Sequence, residues 1–110
     1  MFNKKTKREE LIKKYFKPDM IHVDTIRNGE GLYVKMVSRG LLVQFCMQFD
    51  FTVNYTCNSK YCVLDLNTKE HLAEGNISCT SLINTLIQIK IILNNIFSVR
   101  NHHKDEEYVI

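Results

Sequence analysis

Residues 79–97 read CTSLINTLIQIKIILNNIF, and this stretch decides the fold because the period of the apolar pattern changes there. Leucine and isoleucine recur every three to four residues, which is the period of an α-helix with one face on a core. Neither Gly nor Pro interrupts the stretch, and Ser78, Thr80 or Ser81 can supply the N-cap. We therefore predict a long C-terminal helix.

The predicted helix carries more apolar surface than one contact with a sheet requires. One stripe at helical spacing is expected to face the core, and it consists of Leu82, Leu86, Ile89, Leu93 and Ile96. A second set widens the apolar surface, namely Ile83, Ile87, Ile91 and Ile92. Two interpretations are open for this second set: a helix buried deep in the core, or a surface for a partner or a second copy.

Upstream of the helix, apolar and polar residues alternate in short runs that are typical of half-buried strands. Turn-forming residues separate the runs at Asn28-Gly29, Ser38-Arg39-Gly40 and Asn67-Thr68-Lys69, and Cys57-Asn58-Ser59 is expected to break the pattern too. Six strands are predicted, at residues 20–26, 31–37, 41–47, 49–55, 61–66 and 70–73. The expected fold class is α+β, an antiparallel β-meander packed against one long C-terminal helix.

Length and composition limit the possible functions. The chain has 110 residues, of which 45% are apolar and 25% charged, so it suits one small folded domain and is too short for a kinase. No run approaches the roughly eighteen apolar residues of a membrane span, and the first ten residues are too charged for a signal peptide. We expect a soluble, intracellular protein that does not bind a membrane.

The positive charge is concentrated at the N-terminus. The formal net charge is +3, but residues 1–17 hold seven of the 15 basic and two of the 12 acidic side chains. Apolar residues at helical spacing predict a short helix over residues 6–16, ended by Pro18. The rest of the chain lacks the interleaved basic and aromatic residues of a base-stacking platform, so we expect it not to bind nucleic acid.

Four cysteines raise the question of a disulfide or metal framework. Cys57 and Cys62 have the spacing of a loose zinc knuckle, whereas Cys46 and Cys79 lie in apolar surroundings without a second close pair. Two disulfides or one zinc site are the alternatives to buried free thiols in a reducing compartment. We expect free thiols, no metal ligands and no cofactor.

Catalytic patterns are weak. Residues 28–34 begin like a glycine-rich phosphate loop, but the third glycine is missing and a hairpin turn explains the two that are present. Cys46 or Cys79 could act as a nucleophile with His71 as base, yet no orienting partner or oxyanion motif accompanies them. We predict that the chain is not an enzyme and has no catalytic residues; a small enzyme of an unrecognised type is the remaining possibility.

Four segments carry a resemblance to a known family. They are Gly40-Leu41-Leu42-Val43-Gln44-Phe45, Phe51-Thr52-Val53, Lys60-Tyr61-Cys62-Val63-Leu64-Asp65 and the helix over residues 82–96. In order and pattern they resemble the third, fourth and fifth strands and the closing helix of a polo box, the non-catalytic module of polo-like kinases. The resemblance covers roughly residues 20–99 and consists of patterned apolar positions.

The chain departs from the phosphopeptide-binding polo boxes at their ligand-gripping positions. Asp50 and Thr52 stand near the places of the family's His and Lys, and the chain has no Trp. An Asp would repel a phosphate. Cys46-Met47-Gln48-Phe49 also lacks the polar turn expected between the third and fourth strands. The chain is therefore most similar to the divergent third polo box of the centriolar polo-like kinase, which implies phosphate-independent protein binding and self-association.

These observations predict an interaction module of three segments: a basic arm or short helix at residues 1–18, a polo-box-like domain at 19–99 and a charged, frayed tail at 100–110. Its partner would be an amphipathic helix, an edge strand or a second copy. Partner contacts are expected at Ile87, Ile91, Asn95, Phe49 and Phe51. The resemblance implies that the module targets or dimerises a cell-cycle kinase, or acts as a kinase-free adaptor, in the cytoplasm at a centrosome, centriole or kinetochore.

The alternative function is a small nucleic-acid-associated protein that binds through its basic arm. The side chains that would contact the phosphates are Lys4, Lys5, Lys7, Arg8, Lys13 and Lys14. Binding of this kind weakens steeply with salt because it releases counterions, whereas apolar association does not.

Overall fold

A computed structural model of the chain describes residues 4–26, 30–50 and 56–107. Within these residues, two helices and five strands follow one another in the order α1 (Lys4–Phe16), β1 (Met20–Ile26), β2 (Gly31–Ser38), β3 (Leu41–Asp50), β4 (Thr56–Asp65), β5 (His71–Cys79) and α2 (Leu82–Glu107). The predicted α+β class is confirmed, with five strands in the described part of the chain where six were expected.

The strands form one open antiparallel sheet in the order β1-β2-β3-β4-β5, so every strand pairs with its neighbours in sequence. The predicted turn at Ser38-Arg39-Gly40 is confirmed, because Ser38 pairs with Leu41 across a two-residue loop. Arg39 (φ 50°) and Gly40 (φ 81°) both have positive φ, as a type I′ hairpin turn requires. The Asn28-Gly29 turn lies outside the described residues.

The strands at the centre of the sheet are longer than predicted. The predicted strand at residues 41–47 and the start of the one predicted at 49–55 form a single strand, β3. Cys57-Asn58-Ser59 lies within β4. The predicted break there is wrong, because Asn58 pairs with Gln48 of β3 and with Ser78 of β5. Asn and Ser have low strand propensity, but pairing on both sides of a central strand overrides that preference. The rest of the predicted fourth strand, residues 51–55, is outside the described part of the chain.

Both helices pack on the same face of the sheet, which is called the inner face below. The inner face and the helices share one core, which contains Ile12, Val23, Leu32, Val34, Met36, Leu41, Val43, Phe45, Met47, Phe49, Cys57, Val63, Leu86, Ile89 and Leu93. The core stripe predicted on α2 is therefore confirmed at its three central positions. The opposite, outer face of the sheet carries most of the polar strand residues.

Helix α1 is an integral part of the fold rather than a loose arm. Ile12 is fully buried, and the ring of Phe16 lies 6.4 Å from that of Phe45, centroid to centroid. The guanidinium of Arg8 lies 4.2 Å from the ring centroid of Phe49. The predicted short helix is confirmed, and the basic side chains Lys7, Lys13 and Lys14 are on its exposed side.

Polar contacts fix helix α2 at its first turn and again at Arg100. At its start the hydroxyl of Ser81 accepts a hydrogen bond from the Asn84 amide at 3.1 Å, so Ser81 is the N-cap. Farther along, Arg100 forms an ion pair with Asp65, whose carboxylate also accepts the backbone amides of Asn67 and Thr68 at 2.9 Å. The helix continues to Glu107, so the predicted frayed tail after residue 99 is helical to that point.

We expect Ser81→Ala to lower the free energy of unfolding by about 1 kcal/mol, because it leaves an amide of the first helical turn without its acceptor. Urea unfolding followed by circular dichroism measures the change. Thr80→Ala is the matched control, since the Thr80 hydroxyl accepts a hydrogen bond at 3.2 Å from the side-chain amide of exposed Asn84. Equal losses from both variants would contradict the assignment of the cap.

Candidate functional site

Helix α2 presents a row of exposed, uncharged residues spaced four apart on the side turned away from the core, and all but one of them are apolar. We call this row the isoleucine ridge, and it consists of Ile83, Ile87, Ile91, Asn95 and Val99. Ile83 is 46% exposed, Ile87 39%, Ile91 48% and Val99 58%. The interpretation of α2 as a helix buried deep in the core is therefore wrong for these positions. The other interpretation, an apolar surface open to a partner, agrees with the exposure.

The ridge follows from the sequence of α2. A residue four positions along an α-helix lies almost directly above the first, so Ile83, Ile87 and Ile91 form one continuous band. Asn95 extends the band and adds one amide that can donate and accept hydrogen bonds. No residue of the ridge is charged, and continuous exposed apolar surface of this kind marks contact sites on folded proteins.

A cleft of about 340 Å³ opens between the two helices beside the ridge. Its lining includes the cationic side chains of Lys14, Lys17, Arg39 and Lys90, and no acidic residue is among the described residues that line it. The guanidinium of Arg39 lies 3.9 Å from the ring centroid of Phe97, which holds it against α2. A partner seated on the ridge would meet a positive border on this side.

The structure brings together three of the five predicted contact residues. Ile87, Ile91 and Asn95 lie next to one another on the exposed ridge. Phe49 belongs to the core instead, because it is only 6% exposed and lies beneath Arg8. Phe51 lies outside the described residues. Ile83 and Val99 extend the same surface; they were not predicted as contacts, although their spacing of four from Ile87 and Asn95 was readable.

The outer face of the sheet carries a second group of side chains, which could bind a metal ion and which the sequence analysis missed. One ligand atom each of Cys62, His71 and Glu74 lies within 4.8 Å of the others. The Cys57–Cys62 zinc knuckle is ruled out, because Cys57 is in the core on the inner face while Cys62 is on the outer face. His71 contacts Cys62 rather than the suggested nucleophiles Cys46 and Cys79.

Residues 82–100 of α2 are long and apolar enough to cross a membrane by length and composition alone, with a mean hydropathy of 1.4 over the best window. In the folded chain this helix packs Leu86, Ile89 and Leu93 on the sheet. A core helix of a soluble protein, which is mostly buried, passes the same test of length and composition, whereas 22% of this window is buried in the fold.

Comparisons with family models, curated proteins and solved structures gave no match to this chain. The similarity to polo boxes stays a prediction from the apolar pattern.

Proposed function

We propose that this chain is a non-catalytic protein-interaction module that binds a second copy of itself through the isoleucine ridge. The observation that carries the proposal is the exposure of Ile83, Ile87 and Ile91 on a helix whose opposite face is already packed in the core. Leaving large aliphatic side chains in water forgoes the favourable free energy of burying them. A partner that covers the ridge would recover it.

Self-association suits the chemistry of the ridge. A two-fold dimer places the same patch of both copies in contact, so the patch must be complementary to itself. An uncharged ridge of aliphatic side chains meets this condition, whereas a charged one would repel its copy. Residues spaced four apart also form the ridges that interlock in the commonest class of helix packing, with the helix axes crossing at about −50°. Asn95 can pair with an amide of the other copy.

The polo-box resemblance is a separate line of support. It implies a module that binds proteins without phosphate and associates with itself, and its setting would be the targeting of a cell-cycle kinase or a kinase-free adaptor. The alternative of nucleic-acid binding through the N-terminal segment also stays a prediction. Removal of residues 1–17 would take Ile12 out of the core and disturb the fold. Charge reversal at Lys7, Lys13 and Lys14 therefore tests nucleic-acid binding better.

The double variant Ile87→Asp plus Ile91→Asp tests the proposed dimer. We expect the unmodified chain to sediment as a dimer and the double variant as a monomer over the same concentration range. Burial of unpaired carboxylates at the centre of an apolar contact is unfavourable, and each change occurs twice in a symmetric dimer. The dimer should weaken by at least about a hundredfold. Size-exclusion chromatography with light scattering measures the mass.

The matched control is Asn58→Asp plus Asn76→Asp, which adds the same two charges at exposed positions on the outer face of the sheet. We expect this control to remain a dimer. A monomeric unmodified chain would refute self-association, and so would a double variant that stays dimeric. Circular dichroism of both variants separates dissociation from unfolding, because both Ile87 and Ile91 are exposed and their replacement should leave the helical signal intact.

A further inference from the structure

Cys62, His71 and Glu74 meet on the outer face of the sheet, on the side opposite both helices. Cys62 lies on β4, and the other two lie on the edge strand β5. The Sγ of Cys62 lies 3.6 Å from Nδ1 of His71. One ligand atom from each of Cys62, His71 and Glu74 lies within 4.8 Å of those of the other two. We propose that these three side chains bind a Zn²⁺ ion.

An irregularity in the sheet assembles the group. Cys62 pairs directly with Glu74 and Val63 with Ala73, but the next residue, Leu64, pairs with His71. Leu72 is therefore an extra residue, a β-bulge, and its side chain packs against the core. Without the bulge Leu72 would lie opposite Leu64 and His71 would point to the other face, because successive strand residues alternate. The bulge thus turns His71 toward Cys62 and Glu74.

The donor set and its spacing fit zinc. Thiolate sulfur, imidazole nitrogen and carboxylate oxygen are the three kinds of ligand that Zn²⁺ takes from proteins. Zinc–sulfur and zinc–nitrogen bonds of ordinary length, at a tetrahedral angle, separate the two ligand atoms by about 3.6 Å. The Cys62–His71 distance already has this value. The Glu74 side chain is exposed, so its carboxylate can adjust to an ion held by the other two residues.

The surroundings leave room for the ion and for a fourth ligand. A surface depression of about 580 Å³ adjoins Cys62 and Glu74 and is also lined by Gln44, Cys46 and Lys60. Cys62 is half-buried while His71 and Glu74 are exposed, so the ion can enter from solvent. On binding, Zn²⁺ replaces the proton of the Cys62 thiol, which is released to water, and a water molecule completes the tetrahedron. This proposal departs from the prediction that the chain has no metal ligands.

Titration of the reduced 110-residue chain with Co²⁺ tests the site, because Co²⁺ bound to a thiolate gives a charge-transfer absorption in the near ultraviolet. We expect a saturable band at one equivalent that added Zn²⁺ abolishes. Cys62→Ser should remove the band. His71→Gln and Glu74→Gln should each weaken Co²⁺ and Zn²⁺ binding by at least about tenfold, since each removes one of three protein ligands.

Cys46→Ser is the matched control, because Cys46 is a half-buried thiol on the same face but is not one of the three ligands. It should titrate like the unmodified chain. The proposal is overturned if the unmodified chain shows no saturable band, if the band survives in Cys62→Ser, or if Cys46→Ser removes it. Far-ultraviolet circular dichroism of each variant shows that a lost band reflects a lost ligand and not a lost fold.

Discussion

Phe45→Ala is expected to lower the free energy of unfolding by about 4 kcal/mol. Phe45 is 1% exposed at the centre of β3, the middle strand of the sheet, and it pairs with Val34 on one side and Tyr61 on the other. The ring of Phe16 from α1 lies against it. The substitution therefore opens a cavity where the sheet and α1 meet, and neighbours held by strand pairing cannot close it. For a domain of this size, such a loss is a large share of the total stability.

Chemical unfolding at equilibrium measures this effect. Phe97→Ala is the matched control, since it removes the same side chain from a half-buried position on α2 where Arg39 covers the ring. We expect Phe97→Ala to cost well under half as much. If the two substitutions had equal effects, Phe45 would not be the centre of the core.

Ile12→Asp is expected to have a comparable or larger effect, about 4–5 kcal/mol. Ile12 is fully buried between α1 and the rest of the core, so a carboxylate there has neither water nor a described partner. The fold can relieve this burial only by releasing α1, which also removes the contacts of Phe16 and Arg8. The N-terminal helix therefore contributes to stability, and the variant should lose cooperative unfolding or unfold at a much lower urea concentration.

The control for this prediction is Met20→Asp, which replaces a large apolar side chain that is 70% exposed with the same carboxylate. We expect its effect to stay within about 0.5 kcal/mol. A small effect of Ile12→Asp would mean that α1 is dispensable, and the N-terminal segment would then be the loose basic arm that its charge suggests.

The parts of the fold that sequence predicts best are those where local chemistry and tertiary structure agree. The stripe of Leu86, Ile89 and Leu93 has one period and one buried face, and the turn at Arg39-Gly40 has the residues its backbone needs. Prediction failed at Cys57-Asn58-Ser59, where strand pairing on both sides overrides weak propensity. It also ended the last strand at residue 73, whereas β5 continues to Cys79 with half-buried and exposed residues alternating from Ala73 onward.

The isoleucine ridge and the proposed zinc site also differ in how far the sequence predicts them. Spacing alone identifies a second set of isoleucines on α2, but only the packing of the helix on the rest of the fold shows that Ile87 and Ile91 are exposed. The proposed zinc ligands could not be found from spacing. Cys62 and His71 are nine residues apart on different strands, and a single extra residue decides which face His71 occupies. No local sequence pattern predicts such a bulge.

The bulge in β5 also has a consequence for solubility. Among the described residues, β1 and β5 each pair with one strand only, and β5 is nine residues long, so its outer edge is a template on which strands of other chains could add. An irregular edge with exposed polar groups such as Glu74 and His71 resists that addition. Deleting Leu72 would remove the bulge and make this edge regular, which favours the addition of a strand from another molecule.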